Sequence, residues 1–522
     1  MGCTELLKYR HNTKTFCKSC AADGFIIECF GKKVKRQAHA AAGNDTVRSE
    51  RRILMSATKE KTYLKWYQKL AYGAGDLASN CSYGLVASFV LLYLTGTMGL
   101  DSAIIGSLML ASKVLDGISD VIFGTLIDRT HSKLGKARPW MLYGQVGVSL
   151  CLFLLFAIPA GSTTMQYIYF FVVYTALNAV FYTANNIAYS ALTALITKNN
   201  NERVQLGSFR FMFAVITNIV MGFSVTGLVE KFGGGTAGWR TTALIFAIIG
   251  LVVNTISCLA VKELPEEEPN DKAPEAGTHT KAAPEEKRGV AETAKLLVHN
   301  KYYLMLLAIY IVYYIMSNLT TGAGVFCATY YWGDGSLLGQ FSMMKMFPVI
   351  IALAIAPVLI KKTGSMQKIN FWGYAISSVL GIPMIYFAMQ KNISMFLLFM
   401  FIKGIFAGTL SGSLNALIAE ASGYTTRTTG VHMDGMMYSC SSLGVKVGGG
   451  IGTAAVGWLL KLGGFVGTAT VQSESAIRMI FNLYITFPFI LGIVITVLLA
   501  FLDVEKANKK WDADHAQKEA QA

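Results

Sequence analysis

The sequence predicts an all-helical integral membrane protein with twelve transmembrane helices arranged as two halves of six. Of its 522 residues, 53% are hydrophobic and only 15% are charged, whereas soluble globular proteins carry about 25% charged residues. Twelve apolar segments are long enough to span a bilayer, since about 20 helical residues cross its hydrocarbon core. A polar segment, residues 263–298, separates the first six spans from the last six.

The predicted spans follow one another with mostly short connections. They cover residues 70–94, 102–127, 140–159, 166–196, 206–230, 240–261, 302–330, 338–360, 369–389, 394–419, 430–460 and 479–502. An even number of spans places both chain ends on one side. The short loops on that side hold ten Lys and Arg, at least twice as many as the opposite loops. Because basic loops stay in the cytoplasm, we expect a plasma-membrane protein with both termini cytoplasmic.

These features divide the chain into five parts. They are a basic, disordered amino-terminal tail (1–66), an N-terminal six-helix half (67–262), a cytoplasmic linker (263–298), a C-terminal six-helix half (299–503) and a cytoplasmic tail (504–522). Met55 is an alternative start just before the first span. The linker contains four of the ten prolines and an acidic run, a composition that does not bury a core. Six plus six spans around a long middle loop is typical of the major facilitator fold.

Charge and motifs also exclude several function classes. Residues 1–69 hold fifteen Lys and Arg against six Asp and Glu, which supplies +9 of the net charge of +15 outside the apolar body. This distribution suits a membrane-flanking segment and not a nucleic-acid groove. No nucleotide-binding loop or nucleophile–base pairing occurs, so we expect neither an enzyme nor a cofactor. The lone CxxC at Cys17 and Cys20 lacks the second half of a metal site.

Two carboxylates lie inside the second predicted span. Asp116 and Asp120 are four residues apart in an otherwise apolar run, and they therefore share one helical face. An ionisable residue inside a membrane marks a functional site by default, and each acid raises the cost of ionising the other. A bound cation or proton would relieve that repulsion. The alternative is a helix end wetted by the cytoplasm, because Asp128 and Arg129 follow closely.

Other spans also carry polar groups that are costly in a membrane. They are Asp76 and Asn80 in the first span, Thr183, Asn185 and Asn186 in the fourth, Arg210 in the fifth and Lys446 in the eleventh. Together with the acid pair they predict a polar cavity near the bilayer midplane. Acids suit a cation, and amides with basic groups suit a hydroxyl-rich or anionic solute. For each residue the alternative is an interhelical hydrogen bond or a side chain that snorkels to the interface.

A set of separated motifs agrees in order and spacing with one transporter family. The motifs are YGAGD at 72–76, Asp116-Gly-Ile-Ser-Asp120 with Gly124, Asp128-Arg129-Thr130, Gly135-Lys136-Ala-Arg138-Pro-Trp140, NNIAYSAL at 185–192 with Glu202-Arg203 and Arg210, and the segment from Tyr438 to Lys446. On these motifs residues 69–503 resemble the glycoside–pentoside–hexuronide:cation symporters. This family of the major facilitator superfamily includes the bacterial melibiose carrier.

The resemblance implies symport of a sugar or glycoside with Na⁺ or H⁺, by a monomer. Asp116 and Asp120 inherit the cation-binding role, with Thr183 near the same site. Four further residues, Asn80, Asn186, Arg210 and Lys446, fall at sugar-binding or cavity-facing positions. Asn80 and Asn186 stand where the melibiose carrier has acids, a departure that argues against a melibiose-like substrate. The NNIAYSAL segment resembles the glucuronide and xyloside branch of the family. Ser119 replaces an asparagine beside the sodium site and leaves the coupling ion open.

Two alternative functions remain at this stage. One is transport of a different solute, such as a lysolipid, on the same fold, and the other is a membrane sensor that transports nothing.

The basic loop after the second span adds an expectation of its own. Asp128, Arg129, Lys136 and Arg138 should lie at the cytoplasmic ends of the second and third spans. There we expect them to stabilise one orientation of a rocking carrier.

Overall fold

The computed structural model describes residues 62–264, 297, 299–429, 434–469 and 471–521. Every regular element in these ranges is a helix. The amino-terminal tail up to residue 61, including the alternative start at Met55, lies outside the described residues, as does most of the linker.

Twelve helices form the bundle, which confirms the predicted number of spans. They are α1 (Trp66–Thr97), α2 (Ser102–Asp128), α3 (Arg138–Leu155), α4 (Thr163–Leu195), α5 (Asn200–Lys231), α6 (Gly235–Ala260), α7 (Lys301–Tyr331), α8 (Leu337–Thr363), α9 (Met366–Met389), α10 (Ile393–Thr429), α11 (Ser439–Leu462) and α12 (474–501). Ten of them are long and apolar enough on their own to cross a membrane. The other two are α3 and α2, the helix with the acid pair.

Close contacts join the two halves at the end of the bundle where α1 finishes and α2 begins, here called the distal end. At this end α2 packs against α11 through glycines. A methyl group on Gly106 would lie 2.7 Å from the carbonyl oxygen of Ala454, and one on Gly457 would lie 2.2 Å from that of Ser102. The Ser102 hydroxyl donates to the carbonyl of Gly457 at 2.9 Å. Small residues thus allow direct backbone contact between the halves.

A second contact between the halves joins α5 to α8. A methyl group on Gly222 would lie 2.8 Å from Cα of Gly339. An ion pair between Lys461 Nζ and Asp101 Oδ2, at 2.5 Å, ties the end of α11 to the residue that caps α2. The distal end is therefore closed by backbone contact and by charge.

A carboxylate just after the sixth helix caps the third. Glu263 accepts hydrogen bonds from the backbone N–H groups of Lys136, Ala137 and Arg138 at 2.7, 2.9 and 3.0 Å. Since the first N–H groups of a helix have no partner within it, this carboxylate satisfies the start of α3. The buried Arg138 guanidinium also donates from Nε to the Cys258 carbonyl at 3.2 Å.

The C-terminal half repeats this arrangement. Glu505 accepts from the backbone N–H groups of Met366 and Gln367, at 2.7 and 3.2 Å, where α9 begins. Gln367 donates from its side chain to the Leu499 carbonyl near the end of α12 at 3.2 Å. Within the predicted carboxy-terminal tail, Val504–Gln521 form a helix, α13, whose first turn carries the buried Glu505.

Candidate functional site

The acid pair of α2 lies beside two lysines and a threonine. Asp116 Oδ1 accepts from the Thr183 hydroxyl at 2.7 Å, and Asp116 Oδ2 lies 3.4 Å from Lys113 Nζ. Thr183 follows a π-helical turn, Ala176–Tyr182, within α4, and its hydroxyl also lies 2.9 Å from the Asn178 carbonyl. π-helical turns frequently mark functional sites. The irregular turn here directly precedes Thr183, the residue that contacts Asp116.

Lys446 connects the C-terminal half to this cluster. Its ammonium lies 2.5 Å from Asp120 Oδ2 and donates to the Asp116 carbonyl at 2.8 Å. Two acids and two lysines therefore balance in charge, with Asp120 the most exposed of the four at 42%. The ion pairs give the carboxylates partners in a place where bare charges are costly.

Glycines on α11 allow Lys446 to approach α2. A methyl group on Gly448 would lie 2.5 Å from the Ile311 carbonyl oxygen, and one on Gly450 would lie 3.4 Å from Cβ of Lys113. The helix therefore packs closely on α7 and α2 at the same time.

A second charged pair joins α1 to α5. Arg210 Nε lies 2.6 Å from Asp76 Oδ2, with the two side chains 21% and 17% exposed. The guanidinium also lies over the Tyr189 ring, 4.1 Å from its centroid. Tyr189 and Tyr72 donate to each other's backbone carbonyls at 2.7 and 2.6 Å. Contacts with α1 and α4 therefore fix the orientation of the Arg210 side chain, which α5 carries.

The predicted amides take different positions. Asn80 accepts at 3.0 Å from Asn218 of α5, a residue that sequence analysis did not single out. Asn186 is half-buried, while its neighbour Asn185 is buried and donates to the Met141 carbonyl and to Gln145 of α3. The adjacent amides of α4 thus differ in role. Asn185 joins α4 to α3, and Asn186 is the more exposed of the two.

The four loop residues lie at the ends of α2 and α3, as expected. Asp128 is the last residue of α2 and Arg129 caps that helix, and both are exposed. Arg138 is buried in helix contacts, and the Lys136 backbone binds Glu263. Arg129 is therefore the member of the set with an exposed guanidinium.

The arrangement has the parts of a carrier. Two six-helix halves meet around a cluster of charged and amide side chains inside the bundle, and a membrane protein of this kind is a secondary transporter. A family model described as "MFS/sugar transport protein" matches residues 71–506. The chain belongs to this family of transporters, and the resemblance noted from its motifs is confirmed.

Individual relatives agree with this assignment. The chain is 27% identical over 465 residues to the isoprimeverose transporter of Lactiplantibacillus pentosus, covering 88% of this chain and 93% of that protein. It is 25% identical over 425 residues to the inner membrane symporter YicJ of Escherichia coli, covering 81% and 88%. In fold it is similar to the structure of a bacterial homologue of the human lysosomal transporter Spinster. That match has a TM-score of 0.59 at 15% identity, covering 87% and 99%.

Proposed function

We propose that the protein is a symporter that moves a sugar or glycoside across the plasma membrane together with Na⁺ or H⁺. The observation that carries this proposal is the cluster of Asp116, Asp120, Thr183 and Lys446 at the interface of the halves. The relatives support it, since one is named an isoprimeverose transporter and another a symporter. Action as a monomer is part of the same proposal.

Coupling follows from competition for the carboxylates. In the structure Lys446 neutralises Asp120, and Lys113 lies beside Asp116. A cation bound between the acids would take over that neutralising role, and the Lys446 ammonium would become available to solute hydroxyls. Each ligand then improves the site for the other, and such coupling is reciprocal by thermodynamic linkage. Asn80, Asn186 and Arg210 complete the proposed solute site.

Uptake by proteoliposomes tests this function. The purified full chain is reconstituted, and labelled isoprimeverose, xylosides, glucosides and glucuronides are offered under an imposed Na⁺ or H⁺ gradient. We expect one gradient to drive accumulation of at least one sugar above its outside concentration. If every sugar only reaches equal concentrations inside and outside the vesicles under both gradients, the proposal of cation coupling is wrong.

The orientation of the bundle is a separate proposal. Basic loops support a cytoplasmic position for both termini, so the closed distal end would face outside. Reporter fusions after residue 135 should then report the cytoplasm, and fusions after residues 97 and 163 should report the exterior. The reverse pattern would mean that the closed end faces inward.

Arg129 should act on the rocking motion and not on binding. Its exposed guanidinium at the end of α2 can pair with neighbouring helix ends in one orientation of the halves. We expect Arg129→Ala to slow transport several-fold, while solute affinity in equilibrium binding stays within about twofold, the size of a weak surface interaction. Parent-like transport by this variant would leave Arg129 as a solvated loop residue without a role in gating.

A further inference from the structure

The C-terminal half contains two lysines that the proposed cycle has not used. Lys345 of α8 and Lys403 of α10 line one cavity of about 190 Å³, enclosed by α7, α8, α9, α10 and α12. No carboxylate among the described residues forms an ion pair with either one. Lys345 Nζ donates to the Thr321 hydroxyl at 3.2 Å. Two ammonium groups thus share a cavity that supplies hydroxyls but no counter-charge.

This arrangement is costly unless a ligand uses it. An ammonium near the bilayer centre is expensive, and residues of this kind mark substrate pathways. The helices α8 and α10 are in close contact beside these lysines, since a methyl group on Gly404, next to Lys403, would lie 2.8 Å from Cβ of Pro348 on α8. An anion in the cavity would relieve this penalty.

The cavity adjoins the proposed sugar site. Lys345, Thr320 and Tyr484 also line a smaller cavity of about 50 Å³ between the halves, and Asn218 of the N-terminal half lies on its opposite wall. Asn218 is bonded to the predicted sugar ligand Asn80. Lys345 therefore stands between the amides of one half and the lysine-lined cavity of the other.

The rest of the lining is mostly apolar but includes several residues with hydroxyls. Tyr313, Ser317 and Ser411 are among them, and the hydroxyls of Tyr313 and Ser411 lie 2.8 Å apart. Hydroxyls and ammonium groups both donate hydrogen bonds to a carboxylate or sulfonate. We propose that Lys345 and Lys403 form an anion subsite for the carboxylate or sulfonate group of the transported sugar. This inference rests on the proposed sugar transport and names the substrate class.

Equilibrium binding to the purified full chain tests the subsite with matched sugars. Methyl β-D-glucuronide is compared with methyl β-D-glucoside, and sulfoquinovose with quinovose, by calorimetry in the presence of Na⁺ at neutral pH. We expect the anionic member of at least one pair to bind about tenfold tighter or more, the effect of a hydrogen bond to a charged group. The double variant Lys345→Met and Lys403→Met should lose this preference. Lys362 is an exposed lysine at the end of α8, the helix that carries Lys345. The control variant Lys362→Met should keep the preference for the anionic sugar.

Each outcome decides the matter. Equal affinity within both pairs, binding of no sugar at all, or an undiminished preference in the double variant overturns the subsite. The methionine side chain is only one heavy atom shorter than that of lysine, and removal of unpaired buried charge does not by itself cost stability. If the double variant nevertheless fails to fold, Lys403→Met alone is measured in its place. If the protein prefers anionic sugars but no gradient drives uptake, the symport proposal is wrong and the subsite stands. If it accumulates neutral sugars and shows no preference for anionic ones, symport stands and the subsite is wrong.

Discussion

Replacement of Asp120 by asparagine is expected to abolish accumulation of solute against a gradient. The substitution keeps the size of the side chain but removes the charge that pairs with Lys446 at 2.5 Å. An amide oxygen can coordinate a cation, but it carries no negative charge to neutralise it and does not take up a proton at neutral pH. The stimulation of solute affinity by the cation, about 5–150-fold in coupled systems, should therefore disappear. Solute binding and exchange can persist, because Lys446 still donates to the Asp116 carbonyl.

The measurement combines uptake with binding. Accumulation ratios are taken in proteoliposomes, and solute affinity is titrated with and without the cation. Glu474→Gln is the matched control, because this carboxylate is 89% exposed and pairs with Arg478 of its own helix. The control should transport like the parent. If Asp120→Asn concentrates solute as well as the parent does, Asp120 is not the coupling residue and the interpretation as a wetted helix end is correct.

Replacement of Arg210 by methionine is expected to destabilise the N-terminal half by about 3 kcal/mol, because it leaves a largely buried carboxylate without its partner. Asp76 is 17% exposed and its carboxylate lies 2.6 Å from the guanidinium. The second substitution Asp76→Asn removes the stranded charge and should restore most of the stability. Thermal unfolding in detergent of the parent, the single variant and the double variant measures both effects.

An exposed ion pair provides the control for this cycle. Arg478→Gln breaks a bond to Glu474 in which the two side chains are 73% and 89% exposed, and exposed pairs contribute about 0–1 kcal/mol. Its melting temperature should match that of the parent. A double variant as unstable as Arg210→Met alone would show that the contact of the guanidinium with Tyr189, and not the charge pair, stabilises the protein.

Hydropathy predicts the bundle well but not the lengths of its helices. The fifth span was expected from residue 206 and the tenth to residue 419, whereas α5 begins at Asn200 and α10 ends at Thr429. The added turns are polar, as in ERVQ of α5 and TTRTT of α10. A hydropathy pattern finds the part of a helix that lies in lipid. The turns beyond it depend on caps such as the Asn199 side chain, which accepts from the Glu202 N–H.

Sequence analysis identified individual residues of the candidate site but not which of them contact one another. Costly polar groups in apolar runs located Asp116, Thr183 and Lys446, because each stands out locally. Their contacts depend on helices far apart in the chain, and sequence spacing does not supply those. Lys113 was overlooked, although it lies three residues before Asp116, a spacing at which helical side chains meet. Lys345 was overlooked because Lys403, which lines the same cavity, lies on another helix.

The two carboxylate caps bear on how much of the transporter must be a single polypeptide. Glu263 joins the end of α6 to the start of α3, and Glu505 joins the end of α12 to the start of α9. Each half therefore caps one of its helices with a carboxylate from its own part of the chain. A chain severed between 265 and 296 keeps both of these caps. The two pieces, synthesised separately in one cell, would each keep the carboxylate cap of its own half, and the glycine contacts of α2 with α11 would be available for their assembly.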